Sequence, residues 1–166
     1  MKEFSDTYFV NKNFREIYKL LMEDFSILPS ILNILEYKKT DWENNKRKEY
    51  IKIQYDDIPD IISKVFLNNS KLVNLKIKNS KEKFNDEEII IKSSILPSKF
   101  GIISKLNLFK LKVVYHLKRL NESKTLININ VISKVFLDKS FDVSIEQMII
   151  DLFKIISNDT ILQLHN

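Results

Sequence analysis

Hydrophobic positions follow a helical period near both ends of the chain and a period of two between them. Asn13 and Glu16 form a capping-box pattern, and apolar residues at helical spacing follow for several turns. Ser144 and Gln147 form a second capping-box pattern, ahead of a broad apolar stripe. The pattern therefore predicts one helix early in the chain and one long amphipathic helix at its end.

Between the two predicted helices, apolar and polar residues alternate as they do in half-buried strands. The polar residues 43–45 separate two such segments and predict a hairpin. The segment 57–66 fits either short helical turns or a strand edge, and both interpretations stay open. The predicted strands are 4–10, 34–42, 47–55, 72–77, 87–95, 106–117 and 125–137.

This order of elements indicates an α+β fold, in which a curved antiparallel sheet of about six to seven strands grips the C-terminal helix. The sheet and the helix would each bury the other's apolar side. A chain of 166 residues can bury one core, so residues 1–166 are predicted to form a single domain. Gly101 is the only glycine, and it predicts irregular backbone in the loop 96–101.

Composition excludes several classes of function. The absence of cysteine rules out disulfides, thiolate metal sites and cysteine nucleophiles, and it fits a reducing compartment. A single glycine rules out a glycine-rich phosphate loop. No apolar run resembles a signal sequence or a membrane span, so the protein is expected to be soluble and cytoplasmic.

The candidate catalytic and metal-binding residues are isolated from one another. His116 and His165 have no partner at the spacing of a metal site or a catalytic triad. The carboxylates at 56–60 and 86–88 lack the ligand spacing and the turn glycine of a calcium loop. We therefore expect no metal, no cofactor and no catalytic residue, and hence a protein that is not an enzyme.

A net charge of +5 favours anionic partners, yet only three of the 27 basic residues are arginine. Diffuse lysine mainly solvates a surface, so nucleic acid is not the expected partner. A basic face on the predicted hairpin, shared with Lys38 and Lys39, fits anionic lipid headgroups, although edge-strand lysines also oppose aggregation. The predicted membrane or anion contacts are Lys46, Arg47, Lys48, Lys52, Phe100 and Ile102.

The order of elements resembles the START-like, or helix-grip, superfamily over nearly the whole chain. The segments 9–11, 17–21 and 24–29 are similar to the opening strand and helix of that superfamily. Trp42 and the segments 47–55, 95–97 and 134–136 are similar in type and order to positions of the VASt sterol-transfer domains. Within the superfamily, the VASt domains look nearest.

The resemblance implies a cavity between the sheet and the terminal helix that holds a sterol, a phospholipid or another apolar molecule. Apolar stripes on the strands and the helix supply its candidate lining, although the same stripes also fit a solid core. The predicted ligand-binding residues are Tyr50, Ile91, Val113, Tyr115, Ile129, Met148, Leu152 and Phe153.

Two functions of different classes follow. In the first, the protein binds a lipid, a sterol or a similar ligand without catalysis and transfers it between membranes, since burial in the cavity offsets the loss of bilayer contacts. In the second, the cavity is closed, and the domain captures a protein or nucleic-acid partner through its basic face in a salt-sensitive way. Co-purifying lipid distinguishes the first function from the second.

Overall fold

A computed structural model of the chain describes residues 1–22, 33–54, 71–97, 109–135 and 139–165. These residues form seven strands and two helices. In chain order they are β1 (Lys2–Val10), α1 (Phe14–Met22), β2 (Asn33–Lys39), β3 (Lys46–Gln54), β4 (Leu72–Asn85), β5 (Glu88–Pro97), β6 (Phe109–Asn121), β7 (Lys124–Val135) and α2 (Lys139–His165).

The strands form one antiparallel sheet in the order β1-β7-β6-β5-β4-β3-β2. From β2 to β7, each strand is hydrogen-bonded to the next strand in the chain, which is the order of a meander. β1 joins the far side of β7, with Phe4 opposite Val131. The predicted α+β architecture, a curved antiparallel sheet with a long C-terminal helix, is confirmed.

Local signals in the sequence account for two of the boundaries. Asn13 caps α1, because its side-chain oxygen accepts a hydrogen bond of 2.8 Å from the backbone N–H of Arg15. The β2–β3 hairpin turns at Asn44 and Asn45, whose φ angles are 49° and 60°. Two successive positive φ values are typical of a type I′ turn, in which asparagine is favoured. The predicted helix start and the predicted hairpin are therefore both present.

Several elements are longer than the hydrophobic pattern predicts. β4 continues to Asn85, because its main chain stays paired with β5 through polar residues that break the apolar alternation. β6 continues to Asn121 in the same way. α2 begins at Lys139 rather than at Ser144, since a serine inside a helix costs less than about 1 kcal/mol. The predicted segment 57–66 and the residues around Gly101 lie outside the described residues.

Both helices pack on the same face of the sheet. α2 contacts β1 and β7, and α1 contacts β6 and β7. α2 contributes Ile149, Ile150, Ile161 and Leu164 to the core, and α1 contributes Phe14, Ile17 and Met22. Among the described residues, no helix combines the length and the apolar character needed to cross a bilayer.

Candidate functional site

The face of the sheet that is turned toward α2, called the inner face below, has two halves of different chemistry. The apolar half consists of the inward side chains of β6 and β7. These are aliphatic with few exceptions, and the aliphatic ones are at most 2% exposed. They are Leu111, Val113, Leu117, Ile127, Ile129 and Val131.

Tyr115 interrupts the apolar half at its centre, between Ile91 on β5 and Ile129 on β7. Both isoleucines are fully buried, whereas Tyr115 keeps part of its surface accessible. Its hydroxyl makes no hydrogen bond to any residue that the structure describes. Burial raises the pKa of Tyr115 to about 12. Tyr115 is thus less completely covered than the isoleucines on either side of it.

Most of the predicted ligand-binding residues that are described lie around Tyr115. Ile91 and Ile129 flank it, and Val113 precedes it on the same face of β6. Phe153 on α2 is partly buried against the same core. Met148 and Leu152 also belong to α2, but their side chains lie outside the described ones.

Tyr50 is placed on the other face of the sheet, away from the predicted ligand-binding residues. Its neighbours Glu49 and Ile51 point inward and are buried, so the alternation along β3 directs Tyr50 outward, where it is 40% exposed. The ammonium group of Lys76 lies 5.6 Å from the centre of its ring. Tyr50 is therefore part of the outer surface.

The mixed half consists of the inward side chains of β3, β4 and β5, where polar groups lie among isoleucines. Arg47 forms an ion pair with Glu49. Glu49 also accepts a hydrogen bond of 2.7 Å from the Asn79 amide, whose oxygen accepts one of 2.6 Å from Ser93. All four residues are buried. We call Arg47, Glu49, Asn79 and Ser93 the polar cluster.

Tyr37 on β2 extends the polar cluster. Burial and the neighbouring Glu49 carboxylate raise the pKa of Tyr37 to about 12, and the two side chains are hydrogen-bonded. Glu49 is thus the common acceptor for Arg47, Asn79 and Tyr37. These three contacts fix the position of the Glu49 carboxylate.

Two N–H groups beside the polar cluster have no acceptor. Trp42 Nε1 and Arg47 Nε are buried and make no hydrogen bond within the described part of the chain. The Trp42 ring contacts two cations, with the Arg47 guanidinium 4.7 Å and the Lys81 ammonium 4.4 Å from its centre. Lys81 in turn donates a hydrogen bond of 3.0 Å to the Tyr18 hydroxyl. The mixed half therefore presents donors without matching acceptors.

An open groove reaches Lys81 from the surface between α1 and the β4–β5 hairpin. Its volume is about 370 Å³, in the size range of small-molecule pockets. Phe14 and Ile89 supply apolar lining, while Arg15 and Lys83 line its rim. Lys83 is paired with Asp86, and this pairing holds the pKa of Asp86 below its usual range.

The predicted basic face is split between the two sides of β3. Lys46 and Lys48 point outward and are exposed, and Lys52 points outward and is paired with Glu36. Arg47 points inward into the polar cluster, because it shares its side of the strand with the buried Glu49, Ile51 and Ile53. Phe100 and Ile102 lie outside the described residues.

The histidine of the sheet lies on the outer face. His116 on β6 is paired with Glu88, with 2.5 Å between Nε2 and Oε1. In the described ranges of the chain, no group of three or more His, Asp or Glu side chains is arranged to hold a metal ion. His165 is the last residue of α2 and is exposed.

Sequence reasoning missed Glu49, Asn79, Ser93 and Lys81 as members of an inner-face site. The sequence did indicate that Glu49 faces inward, because it alternates in step with Ile51 and Ile53 along the predicted strand. No comparable signal exists for Asn79, because the position of β4 relative to β5 decides which side chain it meets.

Comparisons with proteins of known structure identify the fold. No protein-family model matches the chain, and no curated protein matches it by sequence. A STAR-related lipid transfer protein fragment from Xanthomonas axonopodis is similar in structure, with a TM-score of 0.64 and 9% identity over 99% of this chain and 86% of that one. The Zhui aromatase/cyclase of a Streptomyces species has a TM-score of 0.61 and 7% identity, over 98% and 93%. A START superfamily protein of Mycobacterium smegmatis has a TM-score of 0.56 and 9% identity, over 98% and 96%.

At these identities the similarity establishes the fold, and the chain has the helix-grip fold of START-like proteins. That fold occurs in a lipid transfer protein and in an aromatase/cyclase, so it is compatible with ligand binding and does not by itself separate binding from catalysis. The likeness to VASt domains is tested by none of these matches and stays a prediction.

Proposed function

We propose that the protein binds an apolar molecule, such as a lipid or a sterol, between the inner face of the sheet and α2, without changing it chemically. The observation that carries this proposal is Tyr115, a partly accessible residue at the centre of a buried apolar surface, whose hydroxyl has no hydrogen-bond partner among the described residues. In a solid core this hydroxyl would be a buried polar group without a partner, which costs about 1–3 kcal/mol. A bound molecule would complete the packing around Tyr115 and supply an acceptor or exclude water from it.

The dimensions of the fold support a ligand in this position. Seven strands spaced about 4.8 Å apart span about 29 Å, whereas a helix with its side chains is about 10 Å across. α2 packs against β1 and β7, at one side of the sheet. α2 alone is therefore too narrow to cover the mixed half as well, and an apolar ligand that packs there would replace other groups that keep this half buried.

We extend the proposal to transfer of the ligand between membranes. Lys48 on the outer face lies directly opposite Lys78, and neither has a carboxylate partner among the described residues. Such lysines attract anionic lipid by about 1 kcal/mol each near a bilayer. Lys46, Lys48 and Lys52, together with Phe100 and Ile102, are the proposed membrane contacts.

The first test is native mass spectrometry of freshly purified protein, followed by organic extraction and lipid analysis. A stoichiometric apolar adduct is expected, and its identity names the ligand class. A mass equal to that of the bare chain, with no increase in melting temperature across sterols and phospholipids, would contradict the proposal.

The second test fills the site. Ile77 on β4 points inward and is partly accessible, so Ile77→Trp extends into the space that the ligand would occupy. Its neighbour Lys78 points outward, which makes Lys78→Trp a matched control. Displacement of a fluorescent lipid should show about tenfold weaker binding for Ile77→Trp and no change for Lys78→Trp, because an overfilled cavity loses most of its contact area. Equal binding by both variants would place the ligand elsewhere.

A specific observation also favours a second candidate function, an interaction module with an anionic partner. Tyr50 is exposed on the outer face between Lys38 and Lys76. An aromatic ring between lysines fits a nucleic-acid strand or an acidic peptide. Binding of oligonucleotides that weakens steeply with salt and is lost in Tyr50→Ala would support this function. Binding that is unaffected by that substitution would exclude this surface.

A further inference from the structure

We propose that the mixed half binds the negatively charged head of the ligand, and that the ligand is a long-chain carboxylic acid. The proposal rests on the function proposed above and assigns Trp42, Arg47 and Lys81 as the residues that bind the carboxylate. The hydrocarbon chain would extend from there along the inner face toward Tyr115.

Two hydrogen-bond donors at the mixed half lack an acceptor among the described residues. Trp42 Nε1 is a donor only, and so is Arg47 Nε; both are buried and lack partners within the described residues. Buried donors without acceptors are rare in folded proteins, because each forfeits the hydrogen bond that it makes with water. Arg47 is 6% exposed and already bonded to Glu49 at its terminal nitrogen, which fixes the direction of the free Nε–H. A carboxylate oxygen satisfies donors of this kind.

The charged groups of the mixed half leave one positive charge without a compensating negative charge. Glu49 compensates the charge of Arg47. Lys81 is partly buried, and its described partners are the neutral Tyr18 hydroxyl and the faces of aromatic rings. The net charge of these three ionic groups is therefore positive by one. A carboxylate neutralises it, whereas a phosphate monoester brings about two charges and an alcohol brings none.

The position of Lys81 joins this polar end to the apolar floor. Lys81, Ile91 and Tyr115 lie side by side on β4, β5 and β6. Since neighbouring strands are about 4.8 Å apart, Tyr115 lies about 10 Å from Lys81 across the sheet. An acyl chain with its head at Lys81 would follow this row to Tyr115, and to do so it would displace the side chains that cover the fully buried Ile91. The groove opens Lys81 to solvent, whereas Trp42 and Arg47 lie behind Lys81 and do not line the groove.

The chain has a single tryptophan, so its fluorescence reports on the proposed head site alone. Bromine quenches indole emission at short range. Hexadecanoic acid brominated next to the carboxyl group should therefore quench Trp42 strongly, and the acid brominated at the tail end should quench it at least about threefold less. The absence of cysteine removes the principal side chain that bromoacids alkylate.

Selectivity for the head is measured by displacement of a fluorescent polyene fatty acid. Hexadecanoate should bind at least about tenfold more tightly than hexadecanol, since hydrogen bonds to a charged group exceed those to a neutral one. Lys81→Met should lower the affinity for hexadecanoate about tenfold and leave hexadecanol unchanged. Trp42→Phe keeps the ring, removes the N–H and should cost severalfold for the acid only. Lys112→Met, on the outer face of β6, should change neither affinity.

The outcomes separate this inference from the function on which it rests. Equal affinity for acid and alcohol in the unmodified protein, or stronger quenching by the tail-brominated acid, overturns the carboxylate site while apolar ligand binding stands. Failure of acids, alcohols, sterols and phospholipids alike to bind overturns both. The comparison of acid with alcohol uses the unmodified protein, so it decides the matter even if Lys81→Met does not fold.

Discussion

The two halves of the inner face are built from the same kind of strand and differ in what their inward side chains do. In the apolar half, β6 and β7 present aliphatic residues that are almost completely buried beneath the helices. In the mixed half, β3 to β5 bury an ion pair, an amide and a hydroxyl among isoleucines. The first half has the composition that a core needs for stability, whereas the second half carries polar groups that a core does not need.

The energetic cost of burying ions makes this difference informative. A buried ion pair is often no more stabilising than aliphatic residues of similar volume, because both charges lose their hydration. The polar cluster is therefore weakly explained by stability alone, and the free N–H groups of Trp42 and Arg47 are not explained by it. The ligand-binding role proposed for the mixed half would account for both features. The predictions below test this division of the inner face, beginning with the largest expected effect.

Breaking the ion pair of the mixed half is expected to have the largest effect on stability. Glu49→Leu leaves Arg47 charged, buried and uncompensated, and it removes the acceptor of Asn79 and Tyr37. The free energy of unfolding should fall by about 3–5 kcal/mol in urea denaturation. The double variant Arg47→Met/Glu49→Leu should recover most of this loss, because no charge is left buried. A single variant as stable as the unmodified protein would show that the pair is solvated.

Truncating one isoleucine in each half should separate a packed region from an accessible one. Ile129 in the apolar half is fully buried, so Ile129→Ala should cost about 3 kcal/mol through lost contacts and a cavity. Ile77 is already partly accessible, so Ile77→Ala should cost about 1 kcal/mol. Equal losses in urea denaturation would contradict the proposed space beside the mixed half.

Much of the fold was predictable, because period-two alternation marks the strands directly. Ile127, Ile129 and Val131 alternate with polar residues without exception, and all three are buried as the alternation requires. The order of strands from β2 to β7 then follows from the tendency of consecutive strands to lie next to each other in a sheet. The lengths of β4 and β6 were not predictable in this way, since main-chain pairing continues beyond the last apolar residue.

The inward residues of the mixed half were harder to predict, because several of them are polar residue types at strand positions that face the core. Arg47 has the residue type of a surface and the strand position of a core. Asn79 and Ser93 meet only through the register of β4 on β5, which hydrophobic periodicity does not specify. Trp42 reaches the cluster from the β2–β3 connection, where no period applies.

Tyr115 and Tyr37, which both have raised pKa values, should respond differently to pH and to loss of the hydroxyl. Tyr115 has a pKa of about 12 in the folded protein against about 10 unfolded. Between these values the folded chain holds a proton that the unfolded chain has lost, so stability falls as pH rises from 10 to 12. The slope contributed by Tyr115 should approach about 1.4 kcal/mol per pH unit.

Urea denaturation between about pH 9 and 11 measures this slope, and Tyr115→Phe should flatten it. Tyr115→Phe should also leave stability near neutral pH almost unchanged, because the hydroxyl has no described partner. Tyr37→Phe should lose about 1 kcal/mol near neutral pH, because its hydroxyl is bonded to Glu49. A loss of similar size in both variants would show that the Tyr115 hydroxyl is also hydrogen-bonded.

The smallest expected effect lies on the outer face, where the sheet carries like charges opposite each other. Lys48 and Lys78 are directly opposed on β3 and β4, an arrangement that disfavours pairing of the strands. Lys48→Glu should therefore stabilise the protein by about 0.5 kcal/mol, or about 1–2 °C in melting temperature. Lys46→Glu is the matched control, because Lys46 faces Ser80 and relieves no repulsion. If Lys48→Glu also reduces the fraction of protein that sediments with anionic vesicles, Lys48 contributes to membrane binding. Its repulsion of Lys78 is then the cost of that function. Unchanged vesicle binding would assign these lysines to solubility alone.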